Sequence, residues 1–160
     1  AMRERTRMVT WDAFAAAAPE LAARGQGLLK RSGTGEALLA TVRGDAPPRI
    51  HPIYVEIVEG RLVAFMMVGS AKTTDLDVDG RYALHAHQDP AVPHEFLVRG
   101  RAQAVEDPAL TAAAAAVWSF AADGYRLFEF SIDHAVFGER ADADAWPPRY
   151  TSWRSPAPGS

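Results

Sequence analysis

The residues best suited to chemistry lie together in residues 68–76, which read VGSAKTTDL. The glycine at position 69 permits a tight turn, and a short helix is expected to begin near Lys72. The free backbone N–H groups and the positive end of a helix favour an anion at such a place. Ser70 and Thr73 add short hydrogen-bond donors, and Lys72 adds a full positive charge. The segment is therefore a candidate phosphate cradle.

The same segment also permits a plainer interpretation, a solvated loop in which Ser70 caps a helix. It is not a Walker loop, because that motif needs a longer glycine-rich run ending in Gly-Lys-Ser/Thr. It is not a dinucleotide fingerprint either, since the fragment at residues 33–35 (GTG) precedes a strand pattern instead of following one. The residue types alone leave the cradle and the capped loop both open.

Two other groups of residues could carry chemistry. His85 and His87 are two apart on a predicted strand, share a face and could form a metal site with His94. Histidines on strands are more often packed or partly exposed, so we expect no metal. Residues 133–134 (DH) could belong to a hydrolase, but the chain has no Gly-x-Ser-x-Gly nucleophile turn.

Turn and capping signals divide the chain into elements. A helix is predicted from Trp11, with Thr10 as its N-cap, and Pro19 breaks or restarts it before a segment punctuated by glycines 25, 27 and 33. A short helix is predicted over residues 72–78, and an alanine-rich helix from residue 108 to about 122. Strands are predicted at residues 37–42, 49–58, 61–68, 81–87, 95–105, 125–132, 135–140 and 149–153.

Many short strands with hairpin turns predict an antiparallel sheet closed into a small barrel. The pair Glu59-Gly60 predicts the hairpin turn between residues 49–58 and 61–68. The predicted fold class is mainly β (α+β), with helices flanking the barrel. We expect one domain over residues 1–154 and a disordered tail at 155–160.

Composition excludes several classes of protein. The formal charge is −3, from 17 basic and 20 acidic side chains, so no nucleic-acid partner is expected. There is no cysteine, which excludes disulfides and thiolate chemistry. No apolar run approaches the ~20 residues of a membrane helix, and the polar N-terminus shows no secretory signal. A cytoplasmic protein without a membrane partner is expected.

Four segments resemble, in order and spacing, motifs of the pyridoxamine 5′-phosphate oxidase-like (FMN-binding split β-barrel) superfamily. Residues 48–53 (PRIHPI) resemble its PRxxP strand, and residues 60–62 with 70–76 (GRL and SAKTTDL) resemble its third strand with the phosphate loop. Residues 79–85 (DGRYALH) resemble its DPRxxLH strand, and residues 96–102 (FLVRGRA) resemble the strand after that. The likeness covers about residues 38–105, and residues 125–153 fit the closing strands more loosely. It implies a six- to seven-stranded antiparallel split β-barrel of the flavin/deazaflavin-dependent oxidoreductase branch.

The resemblance also implies where FMN or the deazaflavin coenzyme F-420 would lie. The phosphate would sit at the cradle and the ring across the second and third strands, and hydride would pass to or from a small organic substrate. His51 is the one titratable candidate for proton delivery, and no other catalytic side chain is implied. The implied cofactor-binding residues are His51, Pro52, Ile53, Met66, Met67, Val68, Gly69, Ser70, Lys72, Thr73, Trp153 and Arg154.

Members of the superfamily are homodimers with two sites at the interface, closed by the second chain's C-terminal strand, which Trp153 and Arg154 match. This chain has Ala71 where classical members have an arginine, and His51 where they have a more basic residue. The lost charge suits F-420, or a cofactor held mainly by Lys72. Past Trp153 only Arg154 is left, without the arginine–histidine pair that true pyridoxamine-phosphate oxidases use, so that activity is not expected.

Two alternatives stay open. The first is a non-catalytic protein of the same fold that binds haem or a bile pigment, for which His51, His85 and His87 are candidate contacts. The second is a member that binds no cofactor and acts only through dimerisation.

Overall fold

The computed structural model describes residues 8–118 and 123–156. Within that part of the chain lie four helices and nine strands. The helices are α1 (Trp11–Ala17), α2 (Pro19–Leu29), α3 (Ala71–Val78) and α4 (Pro108–Trp118). The strands are β1 (Glu36–Thr41), β2 (Arg49–Tyr54), β3 (Glu56–Val58), β4 (Arg61–Met67), β5 (Arg81–Ala86), β6 (Glu95–Ala104), β7 (Tyr125–Phe130), β8 (His134–Glu139) and β9 (Arg149–Arg154).

The strands form one curled antiparallel sheet in the order β2-β1-β5-β6-β7-β4-β3. The long strand β6 serves both halves of this sheet. Its residues 95–99 pair with β8, its residues 97–101 pair with β5, and its last three residues pair with β7. The first half-sheet therefore runs β2-β1-β5-β6-β8-β9, and the second runs β6-β7-β4-β3. This arrangement confirms the predicted split β-barrel of the α+β class.

The predicted strand at residues 49–58 is divided in two. β2 pairs with β1 in the first half-sheet, whereas β3 pairs with β4 in the second. Val55 separates them, because its N–H donates to the carbonyl of Gly35 at 2.7 Å and its side chain is buried in the core. This division contributes to a count of nine strands in the described chain, against six to seven predicted for the barrel.

The turn after β3 agrees with the sequence. Glu59 and Gly60 both have positive φ, at 51° and 74°. A two-residue type I′ turn requires that conformation at both central positions, and its twist matches that of the flanking strands. The β3–β4 hairpin closes on the pair Val58 and Arg61, as predicted.

Helices α1 and α2 pack against the inner side of the barrel. Thr10 caps α1 by accepting a hydrogen bond from the N–H of Ala13 at 3.2 Å, and Pro19 begins α2. The ring of Trp11 meets that of Phe96 edge-on, with centroids 6.2 Å apart. A first core surrounds these rings. A smaller second core between α4 and the second half-sheet consists of Val58, Val63, Leu110, Ala114 and Leu127.

The interpretation of glycines 25 and 27 as punctuation was wrong, because both lie inside α2. The Phe96 ring occupies the place that a side chain at Gly25 would take, so this glycine lets helix and sheet approach closely. A side chain at Gly27 would meet open space.

Both ends of the chain and the end of α4 are described only in part. The predicted end of α4 near residue 122 lies outside the described residues, as do residues 157–160 of the predicted tail. Within the tail, Ser155 donates its N–H to Asp133 O at 2.8 Å. None of the helices in residues 8–118 and 123–156 is long and apolar enough to cross a membrane.

Gly25→Ala should lower the free energy of unfolding by about 1–3 kcal/mol, since the new methyl group overpacks against Phe96. Gly27→Ala, two residues away in the same helix, should raise it by about 0.5–1 kcal/mol through helix propensity. Urea unfolding of both variants gives the comparison. Equal effects of the two substitutions would contradict the packing of α2 on β6.

Candidate functional site

The candidate cradle forms where β4 passes into α3. The N–H of Ser70 donates to the carbonyl of Met67 at 3.2 Å, closing a turn. Gly69 has φ 78° in the third position of that turn, where glycine is favoured. Ser70 then caps α3, its Oγ accepting from the N–H of Thr73 at 3.5 Å. The predicted turn, cap and helix are therefore confirmed, with α3 beginning one residue earlier, at Ala71.

The donors of the cradle do not all face outward. Thr73 is buried, and its hydroxyl donates to the carbonyl of Ser70 at 2.8 Å, so it stabilises the turn itself. The backbone N–H groups of Ala71 and Lys72, at the first two positions of α3, have no partner in the helix. Lys72 forms no ion pair with any residue that the structure describes. An anion at this turn would therefore meet one ammonium group and two amides.

A buried carboxylate ties α3 to the first half-sheet. Asp75 is 1% exposed, and its Oδ2 accepts a hydrogen bond from Thr41 Oγ1 at 2.9 Å. Arg49 Nε lies 3.3 Å from the same oxygen. The Nε2 atom of His51 lies 3.1 Å from Thr41 Oγ1. We call Thr41, Arg49, His51 and Asp75 the polar cluster. It joins β1, β2 and α3 through one carboxylate oxygen.

Sequence reasoning missed Thr41 and gave Asp75 no role. A signal for Thr41 was present, because alternation along β1 places Ala37, Leu39 and Thr41 on the buried side, where a hydroxyl needs a partner. The role of Asp75 depends on how α3 docks on the sheet, and no local pattern gives that information.

His51 lies beside several charges at this site. Its pKa is lowered, first by burial and then by the positive charge of Lys72, while Asp75 raises it and Arg49 lowers it further. Net lowering keeps the imidazole neutral at pH 7.

The residues predicted to line a cofactor ring divide between surfaces. Ile53 and Met66 are buried in the core, so their side chains face the barrel interior. Met67 and Val68 are 58% and 57% exposed beside the cradle. Pro52 faces the opposite side of β2 from His51, because successive side chains of a strand alternate.

Strand β2 offers an open edge to a ligand. It lies at the end of the strand order and pairs only with β1 among the described strands. Proline at position 52 suits such an edge, since it has no N–H to contribute to a ladder. A cavity of about 270 Å³ lies at this edge and is lined by Glu36, Pro52, Ile53, Tyr54 and His87.

The outward side of the first half-sheet forms a second surface, which we call the outer face. The register of the strands places Pro52, Leu38, His85, Leu97, Val136 and Ser152 in one row across all six strands. Arg99, His134 and Arg154 lie together in the neighbouring row on one side of it, and Glu36 and Glu95 in the row on the other side. The outer face is thus apolar in the middle and oppositely charged at its two margins.

The two C-terminal candidates lie on opposite sides of β9. The Trp153 ring packs on Phe14 of α1, with centroids 5.2 Å apart, so it closes the core of its own chain. Arg154 is exposed and lies opposite His134. The ring of Trp118 on α4 meets that of Phe65 edge-on, with centroids 5.4 Å apart.

Other candidate sites are less suited to a ligand. A cavity of about 940 Å³ between α3 and the second half-sheet contains Arg61 and Arg126, but Arg61 pairs with Glu129 and Arg126 pairs with Asp77. Among the residues described, no group of three or more histidine and acidic side chains is arranged to hold a metal ion.

Comparison by sequence gives no relatives: no family model and no curated protein matches the chain. Comparison of structures does. A NimC/NimA family protein from Clostridium acetobutylicum superposes with a TM-score of 0.61 at 17% identity, covering 82% of this chain and 91% of that protein. A protein related to general stress protein 26, of the pyridoxinephosphate oxidase family and from the same organism, gives 0.59 at 11%, covering 81% and 95%. The chain has the pyridoxamine 5′-phosphate oxidase-like fold.

The fold occurs in proteins with different ligands. A haem storage protein from Vibrio cholerae superposes with a TM-score of 0.57 at 14% identity, covering 72% of this chain and 89% of that protein. At these identities the likeness concerns the fold alone. The function therefore depends on the residues of the site and does not follow from the fold.

Lys72→Gln should raise the pKa of His51 towards its ordinary value, because the positive charge that lowers it is removed. An NMR pH titration of the histidine Cε1–H signals measures the change. The pKa of His134, which burial and then Arg154 and Arg99 lower, should stay constant in the same spectra. A His51 pKa that does not move would contradict the placement of Lys72 beside β2.

Proposed function

We propose that the protein is an oxidoreductase that binds FMN or the deazaflavin coenzyme F-420 between the cradle and the edge of β2. The observation that carries this proposal is Lys72, a cation without an acidic partner in the described chain, at the N-terminus of α3. Both cofactors contain a phosphate, for which a lysine and two free amides are suitable donors. When bound, the cofactor supplies hydride transfer to or from a small organic substrate.

The residues of the chain bind and orient the cofactor. Lys72 and the amides of the first turn of α3 hold the phosphate. The exposed side chains of Met67 and Val68, together with Gly69 and Ser70, cover the adjoining part of the cofactor. At the free edge of β2 the carbonyl of Pro52 faces the rim of the ring, whereas the backbone groups of His51 and Ile53 on either side of it point towards β1. Ile53 and Met66 support these residues from the barrel interior, because their side chains are buried.

The charges around the cradle leave a single cation for the phosphate of the cofactor. Arg49 already neutralises Asp75, and His51 is neutral, so Lys72 is the cation left over. The chain has Ala71 next to it instead of a second cation. A site with one cation suits F-420 or a cofactor exchanged during turnover.

We propose that a second copy of the chain binds the outer face. Its middle row is mainly apolar, and Leu38 in that row is 41% exposed. Tyr54, in the neighbouring row with Glu36, is 57% exposed. A two-fold axis along this row would bring the Arg99 margin of one protomer against the Glu95 margin of its partner. Trp153 is engaged in the core of its own chain, whereas Arg154 is exposed on this face.

One observation favours haem as a second candidate ligand. His85 lies in the middle row of the outer face, and its Nδ1 is 2.7 Å from the carbonyl of Ala86. An Nδ1–H donated to that carbonyl would leave Nε2 as a metal ligand, the arrangement usual for histidines that bind metals. A haem-binding protein from Mycobacterium smegmatis and the haem storage protein from Vibrio cholerae share the fold.

Titration with FMN and with F-420, followed by tryptophan fluorescence, should show micromolar binding of at least one. Lys72→Ala should weaken it tenfold or more, a loss of roughly 1.4 kcal/mol. Lys30 is the only other lysine and is paired with Glu56, so Lys30→Ala is the matched control and should bind like the parent.

Absence of binding for both cofactors would overturn the redox proposal. Addition of haem to the same samples distinguishes haem binding from binding of FMN or F-420. An intense Soret band that His85→Ala removes and Lys72→Ala preserves would support haem at the outer face.

Leu38→Glu should weaken self-association about tenfold or more, because it places a charge in the apolar row of the outer face. Val117→Glu, at a 53% exposed position on α4, is the matched control and should leave association unchanged. Sedimentation velocity over a range of concentrations measures both. A monomeric parent, or equal effects of the two substitutions, would contradict a dimer through this face.

A further inference from the structure

The number of protons on each group of the polar cluster determines the direction of its hydrogen bonds. Asp75 forms an ion pair with Arg49, and a carboxylate has no proton to donate. The proton in the contact between Asp75 and Thr41 is therefore that of the Thr41 hydroxyl. Since a hydroxyl has only one proton, the contact between Thr41 Oγ1 and His51 Nε2 must use a proton carried by the imidazole.

This assignment determines the other side of the His51 ring. A neutral imidazole carries one N–H, so a proton on Nε2 leaves a lone pair on Nδ1. Nδ1 makes no hydrogen bond to any residue of the described chain. Burial and Lys72 lower the pKa of His51, against the opposing effect of Asp75, so this lone pair is present at neutral pH.

The polar cluster is rigid enough to hold this arrangement. Thr41 is fully buried and Asp75 is 1% exposed, so water does not compete for their hydrogen bond. The second carboxylate oxygen, Oδ1, is buried without a partner in the described chain, which leaves Oδ2 as the acceptor for both Thr41 and Arg49.

We propose that Thr41 and Asp75 are positioning residues that hold His51 as its Nε2–H tautomer, so that Nδ1 accepts a hydrogen bond from the bound ligand. The identity of that ligand rests on the proposed function, because His51 lies on the strand assigned to the cofactor ring. The ligand group that meets His51 is then a donor, an N–H or an O–H, and a bare carbonyl or carboxylate is disfavoured there. His51 acts first as an acceptor rather than as a source of protons.

Long-range ¹H–¹⁵N correlation spectra of the labelled protein without cofactor test the tautomer directly. The parent should show only the Nε2–H form of His51, with the Nε2 proton protected from exchange with water. Thr41→Val preserves the shape of the side chain but removes its hydroxyl, so an Nδ1–H fraction should appear and the protection should be lost. Thr41→Ser restores the hydroxyl and should restore the parent pattern.

An Nδ1–H form in the parent would overturn the proposal without any variant. A Thr41→Val protein that keeps a single, protected Nε2–H form would overturn the role of Thr41. These spectra need no cofactor, so a failure of FMN and F-420 to bind leaves them readable. Where either cofactor binds, the Nδ1 resonance should move upfield at saturation, and a resonance that stays in place would overturn the contact with the ligand.

Discussion

The buried carboxylate of Asp75 fixes the position of everything that we assign to the site. It receives a hydrogen bond from β1 and an ion pair from β2, at a point where Thr41 and Arg49 lie opposite each other. Burying a charge costs several kcal/mol that one ion pair only partly offsets. Asp75 is therefore better understood as a device for placement than as a source of stability. A helix of eight residues is marginal alone, and Asp75 with the neighbouring core residue Leu76 anchors it.

The same placement sets the charges of the site. Asp75 is buried and pairs with Arg49, whereas Lys72 has no acidic partner in the described chain, so that its charge is available to an anion. Burial and Lys72 together keep His51 neutral, so the imidazole adds no second cation. Ser70 caps α3, so that the free amides of the first turn lie at the same end of the helix as Lys72. The proposed phosphate affinity of the cradle and the lowered pKa of His51 thus both depend on the charge of Lys72.

Local sequence signals predicted the elements that depend on local chemistry. The caps at Thr10 and Ser70 and the turn at Glu59-Gly60 each satisfy backbone groups within a few residues, so the sequence was enough. The division of the strand at Val55 was missed, because its N–H bonds to Gly35, twenty residues earlier. Gly25 was misread because its partner, Phe96, lies on a distant strand. Met66 and Met67 were both assigned to the cofactor, although successive side chains of a strand face opposite sides, and the structure buries Met66 while Met67 is exposed.

Strand β2 links the polar cluster to the outer face. Alternation directs Arg49 and His51 into the polar cluster and Ile50, Pro52 and Tyr54 to the outer face. A slip of one residue in its pairing with β1 would exchange these two sets. The contacts of Arg49 and His51 in the polar cluster hold this register on one face of β2. On its other side β2 has no neighbouring strand among those described, because it lies at the end of the strand order. A second copy bound to the outer face would hold the same register from the other side, so association and the orientation of His51 should reinforce each other.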